Sequence, residues 1–517
     1  MKTMKKIYIV LIAVAITFSG CKKYFDVNTD PATPQNPESR TLVSPLFAQM
    51  ERGVQFDSRY LGSLIQYFGG AVNVGENHGW IPASDAMGEI WRTNYYGLGA
   101  NLNLILADSE AKKEYNYVAL AQALKAWGWQ ITTDYHGEVI LKQAYEPNRF
   151  VFDYDPQPEV YAEVVRLANE SIANFSRTDG AGTVAKLAGP DLVYQGDANK
   201  WIKFNYGLLA RNANNLVNKS SYDPAKVIEY CDKSLASNSD NFIVPNNGAT
   251  SADGNFFGPL RQNLQNYRQT RIIVGLLDGT YLTATPGSVI DPRRDNMITA
   301  SADGIFRGTN PGLADGGTVA AKNQIPNPWG TLGSVNPGPG LGKYIFKDKA
   351  GFPIMTSTEI QFIKAEAAFR AGNLPLAHTA YLKGISESID YVSSQGTAIT
   401  NAAKTAYLTS AAVRQESGAL TLKDIMLQKY LALYGYGFVE TWSDLRKYNY
   451  NVGDVKGNNP YLNVYVFPTF FADNGGRPAQ RYRPRYNSEY LWNVAAIQKI
   501  GADQVDYHTK KMWFTEP

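Results

Sequence analysis

The residues best suited to bind a metal are few in this chain. The chain has four histidines, His78, His136, His378 and His508. None of them belongs to a paired motif on a helix, so the ligand set of a zinc hydrolase is lacking. Asp134, His136 and Glu138 alternate, and on an extended segment their side chains would share one face. A polar turn after a helix explains this spacing equally well. We therefore expect neither a metal nor any other cofactor.

Residue patterns typical of catalysis are also scarce. No Gly-x-Ser-x-Gly sequence marks a nucleophile of the α/β-hydrolase type. The segment 338–343 resembles a phosphate-binding loop, but its spacing is one residue short and Tyr344 stands where Ser or Thr is required. Glycoside hydrolysis needs only two carboxyl groups that meet in the fold, and among 47 acidic residues nothing selects a pair. We predict that the chain is not an enzyme, with an exported helical glycosidase as the alternative.

The first cysteine has the surroundings of a lipid attachment site. Three lysines within the first six residues precede an apolar run over residues 7–16, which is shorter than a membrane span. Residues 18–20, Phe-Ser-Gly, then lead directly to Cys21, an order that resembles a bacterial lipoprotein signal with Phe where Leu is usual. We expect residues 1–20 to be removed and Cys21 to carry acyl chains. An ordinary signal peptide with a chance cysteine is the alternative.

Composition indicates a large folded protein without a strongly charged surface. The chain is 44% hydrophobic and 12% aromatic, with 33 Tyr among the aromatic residues. Its net charge of +3 comes from the three lysines of the signal. The remaining chain is balanced and has no electrostatic footprint for nucleic acid. Cys231 is the second of only two cysteines, and we expect a buried structural thiol and no disulfide.

Helical and loop-rich regions alternate along the chain. Residues 21–40 are rich in Pro and Asn and are predicted to be a tether, followed by one ligand-binding domain over 41–517. Apolar residues recur at helical spacing between 41 and 240, and Asp197 is placed to cap a helix. The same spacing predicts four later helices: 357–371, 376–390, 402–415 and 422–434. Two regions rich in Gly, Pro or aromatic residues are predicted to be loops that face a ligand or a partner: 240–345 and 448–490.

Several segments in order along the chain resemble the SusD/RagB family of surface lipoproteins. The segment that starts at Cys21 is similar to the mature N-terminus of the family, and 133–140 is similar to its turn after the first Ala-rich helix, with Leu141 where Pro is usual. The other matching segments are 191–204, 358–367, 428–430, 440–446, 481–484 and 487–489. The family often has two arginines where this chain has Arg446 and Lys447. Because the matches lie on helical segments, we expect Asp134, Asp197, Glu366 and Arg446 to serve turns, caps and ion pairs.

The resemblance implies a fold and a role. The fold would be mostly α, a single domain with four tetratricopeptide-like helix pairs and a loop-rich ligand face with short strands. The protein would be anchored by lipid at the cell outer membrane, exposed on the surface. It would bind a nutrient, an oligosaccharide or alternatively a peptide, and act without catalysis as the lid of a TonB-dependent, SusC-like barrel.

Two polar loops carry the tryptophans that a sugar ligand would use. Trp80 follows Asn73 and Asn77 in one loop, and Trp329 lies between Pro and Gly in another, which favours a fixed, exposed turn. We predict that the two indoles form a stacking platform and that the two amides supply hydrogen bonds. The alternative is that either Trp fills a groove between helices. Four other tryptophans lie on helical patterns and are assigned to packing: Trp91, Trp127, Trp201 and Trp442.

Overall fold

The computed structural model describes residues 37–70, 81–82, 84–181, 184–310 and 320–517. Helices dominate these ranges. They are α1 Ser39–Leu64, α2 Glu89–Arg92, α3 Ala100–Ala111, α4 Tyr115–His136, α5 Gln157–Phe175, α6 Val184–Ala188, α7 Ala198–Asn215, α8 Pro224–Lys233, α9 Arg271–Leu277, α10 Arg294–Met297, α11 Ser357–Arg370, α12 Leu374–Ser394, α13 Asn401–Leu408, α14 Leu422–Ala432, α15 Phe438–Lys447, α16 Asn487–Trp492 and α17 Val494–Lys499. A π-helical turn, Thr93–Gly99, joins α2 to α3.

Neighbouring helices pair and stack into one scaffold. Three pairs pack closely, namely α3 with α4, α5 with α7, and α11 with α12. The first and second pairs meet where α4 packs on α5, and α14 packs on α11 of the third pair. Lys429 of α14 and Asp444 of α15 form an ion pair of 2.8 Å. The predicted mostly helical fold built from helix pairs is confirmed.

Side-chain caps define where several of these helices begin. The Asp197 carboxylate accepts hydrogen bonds from the backbone N–H groups of Asn199 and Lys200 and so starts α7, as predicted. Thr421 and Asp424 bond each other's backbone N–H groups in a capping box at the start of α14. The expected helix over 402–415 is too long, because α13 ends at Leu408 and the Gln415 side chain donates to the Leu408 carbonyl. The tether also ends slightly earlier than expected, since α1 begins at Ser39.

Two short antiparallel sheets lie beside the helices. Strand β1, Gly69–Gly70, pairs with β3, Tyr267–Arg268, and β2, Phe242–Val244, pairs with β4, Phe352–Met355. In the described part of 240–345, strands β2 and β3, short helices and turns are separated by irregular chain. The prediction of a loop-rich region therefore agrees with the structure. Gly69 lacks the Cβ that would collide with the side chain of Thr309.

Aromatic rings fill the core between the helices. The four tryptophans assigned to packing are all buried: Trp91, Trp127, Trp201 and Trp442. The Trp201 ring stacks on Phe175, and its indole N–H donates to Asp191 Oδ2 at 2.7 Å. Cys231 is buried as expected, and burial raises the pKa of its thiol. Within the described ranges, none of the helices combines the length and apolar character that crossing a bilayer requires.

Candidate functional site

Most of the residues predicted from the sequence to serve the function lie outside the described residues. This applies to the lipidation site Cys21 and to three members of the predicted ligand platform, Asn73, Asn77 and Trp80. The fourth member, Trp329, is described. The structure therefore locates only one residue of the predicted platform.

Trp329 is buried rather than exposed. Only 3% of its surface is accessible, and its indole N–H donates to the Phe257 carbonyl at 2.7 Å. The turn itself is fixed as expected, since Gly330 has φ +89° and Asn327 is bonded to Thr331 within it. The ring points inward because a buried carbonyl satisfies its polar atom while its apolar faces pack. The expectation of an exposed platform at Trp329 is therefore wrong.

The three residues considered as a metal site do not face one another. Asp134 accepts a hydrogen bond from Tyr161 at 2.5 Å, the His136 ring contacts the Tyr482 carbonyl, and Glu138 pairs with Arg481. Burial, together with the charge of Arg485, lowers the pKa of His136 to about 3. No group of three or more His, Cys, Asp or Glu side chains suited to a metal occurs among the residues that the structure describes.

Acidic and basic residues of the sequence motifs meet inside the helical scaffold. Arg211 of α7 bonds Glu359 of α11 through two hydrogen bonds of 2.8 Å, and it contacts Glu440 of α15 at 2.9 Å. Burial raises the pKa of Glu440, although the charge of Arg211 opposes this. Glu359 and Glu440 belong to the segments 358–367 and 440–446. These segments therefore join helix pairs and are not available to a ligand.

A second buried cluster lies about two helical turns further along α11 and α15. Glu366 is inaccessible to solvent and contacts Lys447 at 3.1 Å, while Lys447 also contacts Asp444 at 2.8 Å. Arg446 lies with its guanidinium carbon 3.8 Å from the centre of the Trp442 ring and donates to the Asp134 carbonyl. The expectation that these motif residues form internal contacts is confirmed.

The face most suited to a ligand is a groove beside α1, here called the α1 groove. It lies between α1 and the loop after β2, and its cavity of about 440 Å³ falls within the range of small-molecule sites. Amide, carboxyl, guanidinium and aromatic groups line it together. Six of these residues are Gln49, Glu51, Gln55, Asn246, Phe256 and Arg261.

Glu51 is the buried carboxyl group of the α1 groove. Its residue is 5% exposed, and its Oε1 atom accepts a hydrogen bond from the Asn246 amide at 2.9 Å. Burial raises the pKa of Glu51 to about 8, although the Asn246 hydrogen bond and the charge of Arg261 act in the opposite direction. Burial therefore favours the protonated form of Glu51 at neutral pH. A protonated carboxyl can donate a hydrogen bond as well as accept one.

Arginine side chains cover aromatic rings beside the C-terminal half of α1. The Arg59 guanidinium carbon lies 4.3 Å from the centre of the Phe56 ring and 5.1 Å from that of Phe256, and Arg261 lies 5.9 Å from the Phe256 ring. Burial raises the pKa of Tyr267 in β3 to about 12, and the nearby charge of Arg59 opposes that rise. Arg59 thus contacts Phe256, which lines the groove, and also lies near Tyr267 of the β1–β3 sheet.

The β1–β3 sheet brings the ends of two loops to this face. The chain leaves β1 at Gly70, directly before the segment that contains Asn73, Asn77 and Trp80. Thr309, next to Gly69, forms a parallel bridge with Thr270. Gly70, which pairs with Tyr267, therefore lies on the same side of the molecule as Arg59, whose charge acts on Tyr267.

Only an indirect signal in the sequence points to the α1 groove. Helix α1 buries Glu51, Gln55 and Asp57 beside apolar residues such as Phe47, although polar side chains are normally exposed. Such buried polar groups need partners, and those of Glu51 and Gln55 lie about 200 residues away. On a helix, the sequence alone does not distinguish a buried polar residue from an exposed one. The distinction requires knowledge of the segments that pack against the helix.

Comparison with known proteins identifies many similar structures. A family model, SusD-like, described as starch-binding and associating with the outer membrane, matches residues 31–463. The chain is similar to a SusD/RagB family protein from Bacteroides thetaiotaomicron, with 22% identity, a TM-score of 0.68 and coverage of 93% of this chain and 99% of that one. It is similar to a chitin-binding SusD homologue from Flavobacterium johnsoniae, with 19% identity, a TM-score of 0.70 and coverage of 92% and 98%. A search of curated proteins finds no match.

Proposed function

This chain belongs to the SusD-like family of binding proteins associated with the outer membrane, and we propose that it is a surface lipoprotein that binds a nutrient oligosaccharide and delivers it to a TonB-dependent barrel as its lid. The observation that carries this proposal is the polar and aromatic α1 groove on a rigid helical scaffold. Sugar rings present C–H faces and hydroxyl groups. A binding site must supply aromatic surface for the faces and hydrogen-bonding groups for the hydroxyls. The starch and chitin named for the family and for one neighbour support a saccharide ligand.

Two features of the groove favour binding over catalysis. The Glu51 carboxyl is buried and bonded to Asn246, and Asp253 accepts hydrogen bonds from Thr250 and Asn247. The Thr250 N–H and the side chains of Asn247 and Thr250 lower the pKa of Asp253. Both carboxyl groups are thus engaged by neighbours. A catalytic acid or nucleophile would have to give up such contacts to reach a glycosidic bond.

The lipid anchor would join the scaffold at the start of α1. The Ser39 backbone N–H and hydroxyl both donate to Asp108 Oδ2 of α3, at 3.1 and 2.7 Å. We propose that lipid on Cys21 and the segment 21–40 hold this rigid attachment point beside the membrane. A tether of that kind keeps a lid at high local concentration near its barrel while allowing it to swing.

Ligand contact by the first loop is tested with a pair of tryptophan variants. Trp80→Ala should weaken binding about tenfold without changing the unfolding temperature, because packing of a sugar on an indole contributes about 1–1.5 kcal/mol. Trp329→Phe is the matched control. It removes the hydrogen bond to Phe257, so it should lower stability by about 1–2 kcal/mol and leave affinity unchanged.

Calorimetry measures both variants against whichever of maltoheptaose, chitohexaose or tetragalacturonate binds the wild-type chain most tightly. Unchanged affinity in Trp80→Ala would remove the first loop from the proposed site. Weaker binding by Trp329→Phe at unchanged stability would show that Trp329 belongs to the ligand site.

A further inference from the structure

The orientation of one amide in the α1 groove is determined by its surroundings. The Asn255 Nδ2 atom donates to the carbonyls of Ile345 and Lys347 at 2.7 and 3.1 Å, and its Oδ1 atom accepts from the Phe257 N–H. The Gln55 Nε2 atom in turn donates to Asn255 Oδ1 at 2.7 Å. The Gln55 Oε1 atom is therefore an acceptor, and it is buried without a donor among the described residues.

Glu51 lies one helical turn before Gln55 on α1, and its Oε1 atom accepts a hydrogen bond from the Asn246 amide. A neutral carboxylic acid can accept this bond with one oxygen and donate to a neighbouring acceptor with the other. Burial raises the pKa of Glu51 to about 8, against the side-chain hydrogen bonds of Asn246 and Gln55 and the charge of Arg261, and so favours a neutral Glu51.

With Glu51 neutral, the arginines of the groove outnumber its anions. Arg261 forms no ion pair within the described ranges, and its Nε atom is buried without a hydrogen-bond partner. Arg52 contacts Glu89 at 3.4 Å, and Asp253 is occupied by Thr250 and Asn247. Arg59 bonds only the Phe56 carbonyl and the Asn263 amide oxygen among the described residues. The groove thus presents guanidinium groups that lack a carboxylate.

We propose that the α1 groove binds an acidic sugar of the uronate class, whose carboxylate pairs with the Arg261 guanidinium while its hydroxyl groups bond the surrounding amides. The inference rests on the proposed function and specifies its ligand class. Guanidinium groups pair with carboxylates through two parallel hydrogen bonds, and a partly buried site strengthens that pair. Asn246, Asn247 and Gln49 offer donors and acceptors for hydroxyl groups around a floor that includes Phe256. A uronate combines both requirements in one ring.

The same arrangement makes binding depend on pH. The charged or titratable groups around Glu51 are Arg52 on α1, and Asp253 and Arg261 on the loop after β2. As pH rises above about 8, Glu51 ionises, competes for Arg261 and repels the ligand carboxylate. Affinity for an acidic sugar should therefore fall between pH 7 and pH 9. Affinity for a neutral sugar should not follow this course.

The test compares acidic probes with a neutral one of the same shape. Calorimetry is run with tetragalacturonate, a glucuronate tetrasaccharide and the methyl ester of tetragalacturonate at pH 7. We expect one of the acidic probes to bind at least tenfold more tightly than the ester, and Arg261→Gln to remove that preference. Glu51→Gln should abolish the decline in affinity between pH 7 and pH 9, because the glutamine amide does not ionise. Thermal unfolding at each pH verifies that the variants remain folded.

Several results would overturn the inference, and each is distinct from failure of the proposed function. Equal affinity for acid and ester, or full retention of the preference in Arg261→Gln, would contradict the role of Arg261. Binding of maltoheptaose or chitohexaose, with no binding of any acidic probe, would support the proposed function and reject the uronate class. Equally tight binding of tetraglutamate would show that the groove recognises carboxylates without a sugar, and so would also reject it.

Discussion

Replacing Glu366 with alanine is expected to lower the free energy of unfolding by about 3–5 kcal/mol, since removing one partner of a buried ion pair leaves the other charge uncompensated. Lys447 is inaccessible to solvent and contacts Glu366 at 3.1 Å. The Glu366 carboxylate also accepts hydrogen bonds from Asn214 at 2.8 Å and Tyr448 at 2.5 Å. All three donors would lose this acceptor at once. Urea unfolding followed by circular dichroism measures the change.

The matched control for this variant is Glu163→Ala. Glu163 pairs with Arg166 on the surface of α5, where the arginine side chain is 52% exposed. Such a pair contributes less than about 1 kcal/mol. A loss of that small size in Glu366→Ala would contradict the view that the motif segments hold the scaffold together.

The same cluster predicts how stability depends on acid. Burial alone would raise the pKa of Glu366, but the charges of Lys447, Lys429 and Arg370 outweigh it and lower the pKa from 4.5 to about 2. The stabilisation that Glu366 provides is therefore complete above about pH 4.5 and is lost as pH falls toward 2. Stability of the wild-type chain should decline over this interval more steeply than that of Glu366→Ala.

Replacing Cys21 with alanine is expected to release the protein from the membrane entirely. The proposed attachment is covalent lipid, and no helix among the described residues could substitute for it by spanning the bilayer. Fold and ligand affinity should be unchanged, because the proposed role of the Cys21 thiol is only to carry the acyl chains. Fractionation of cells and labelling with a fatty-acid analogue measure the release.

Cys231→Ala is the control for lipidation, because its thiol is buried in the core and should carry no lipid. That variant should stay in the membrane fraction and take up the label. Co-purification with a TonB-dependent barrel from detergent extracts should be strong for wild type and weak for Cys21→Ala. A Cys21→Ala protein that remained firmly membrane-bound would contradict both the lipid attachment and the tethered-lid proposal.

The helical scaffold could be predicted from the sequence because its signals are local. Apolar spacing and a capping Asp197 specify α5 and α7 without knowledge of other segments. The tryptophans on helical patterns are buried for the same reason. Local signals failed at the end of α13, where the Gln415 side chain bonds the Leu408 carbonyl and the chain turns away.

The binding face could not be predicted because its contacts join distant segments. The Pro-Trp-Gly sequence at Trp329 does specify a turn, but the direction of the indole depends on a carbonyl at Phe257, 72 residues earlier. Glu51 and Asn246 are 195 residues apart in sequence. No periodicity or spacing rule connects positions so far apart, and only the fold places them in one groove.

We propose that this protein binds a saccharide without chemically changing it. Affinity electrophoresis through gels that contain starch, soluble chitin or polygalacturonate tests the claim, with reducing ends measured on the same samples over several hours. We predict retarded migration in at least one gel, most strongly in polygalacturonate, and no increase in reducing ends. Release of reducing ends by the pure protein, or normal migration in every gel, would contradict the account.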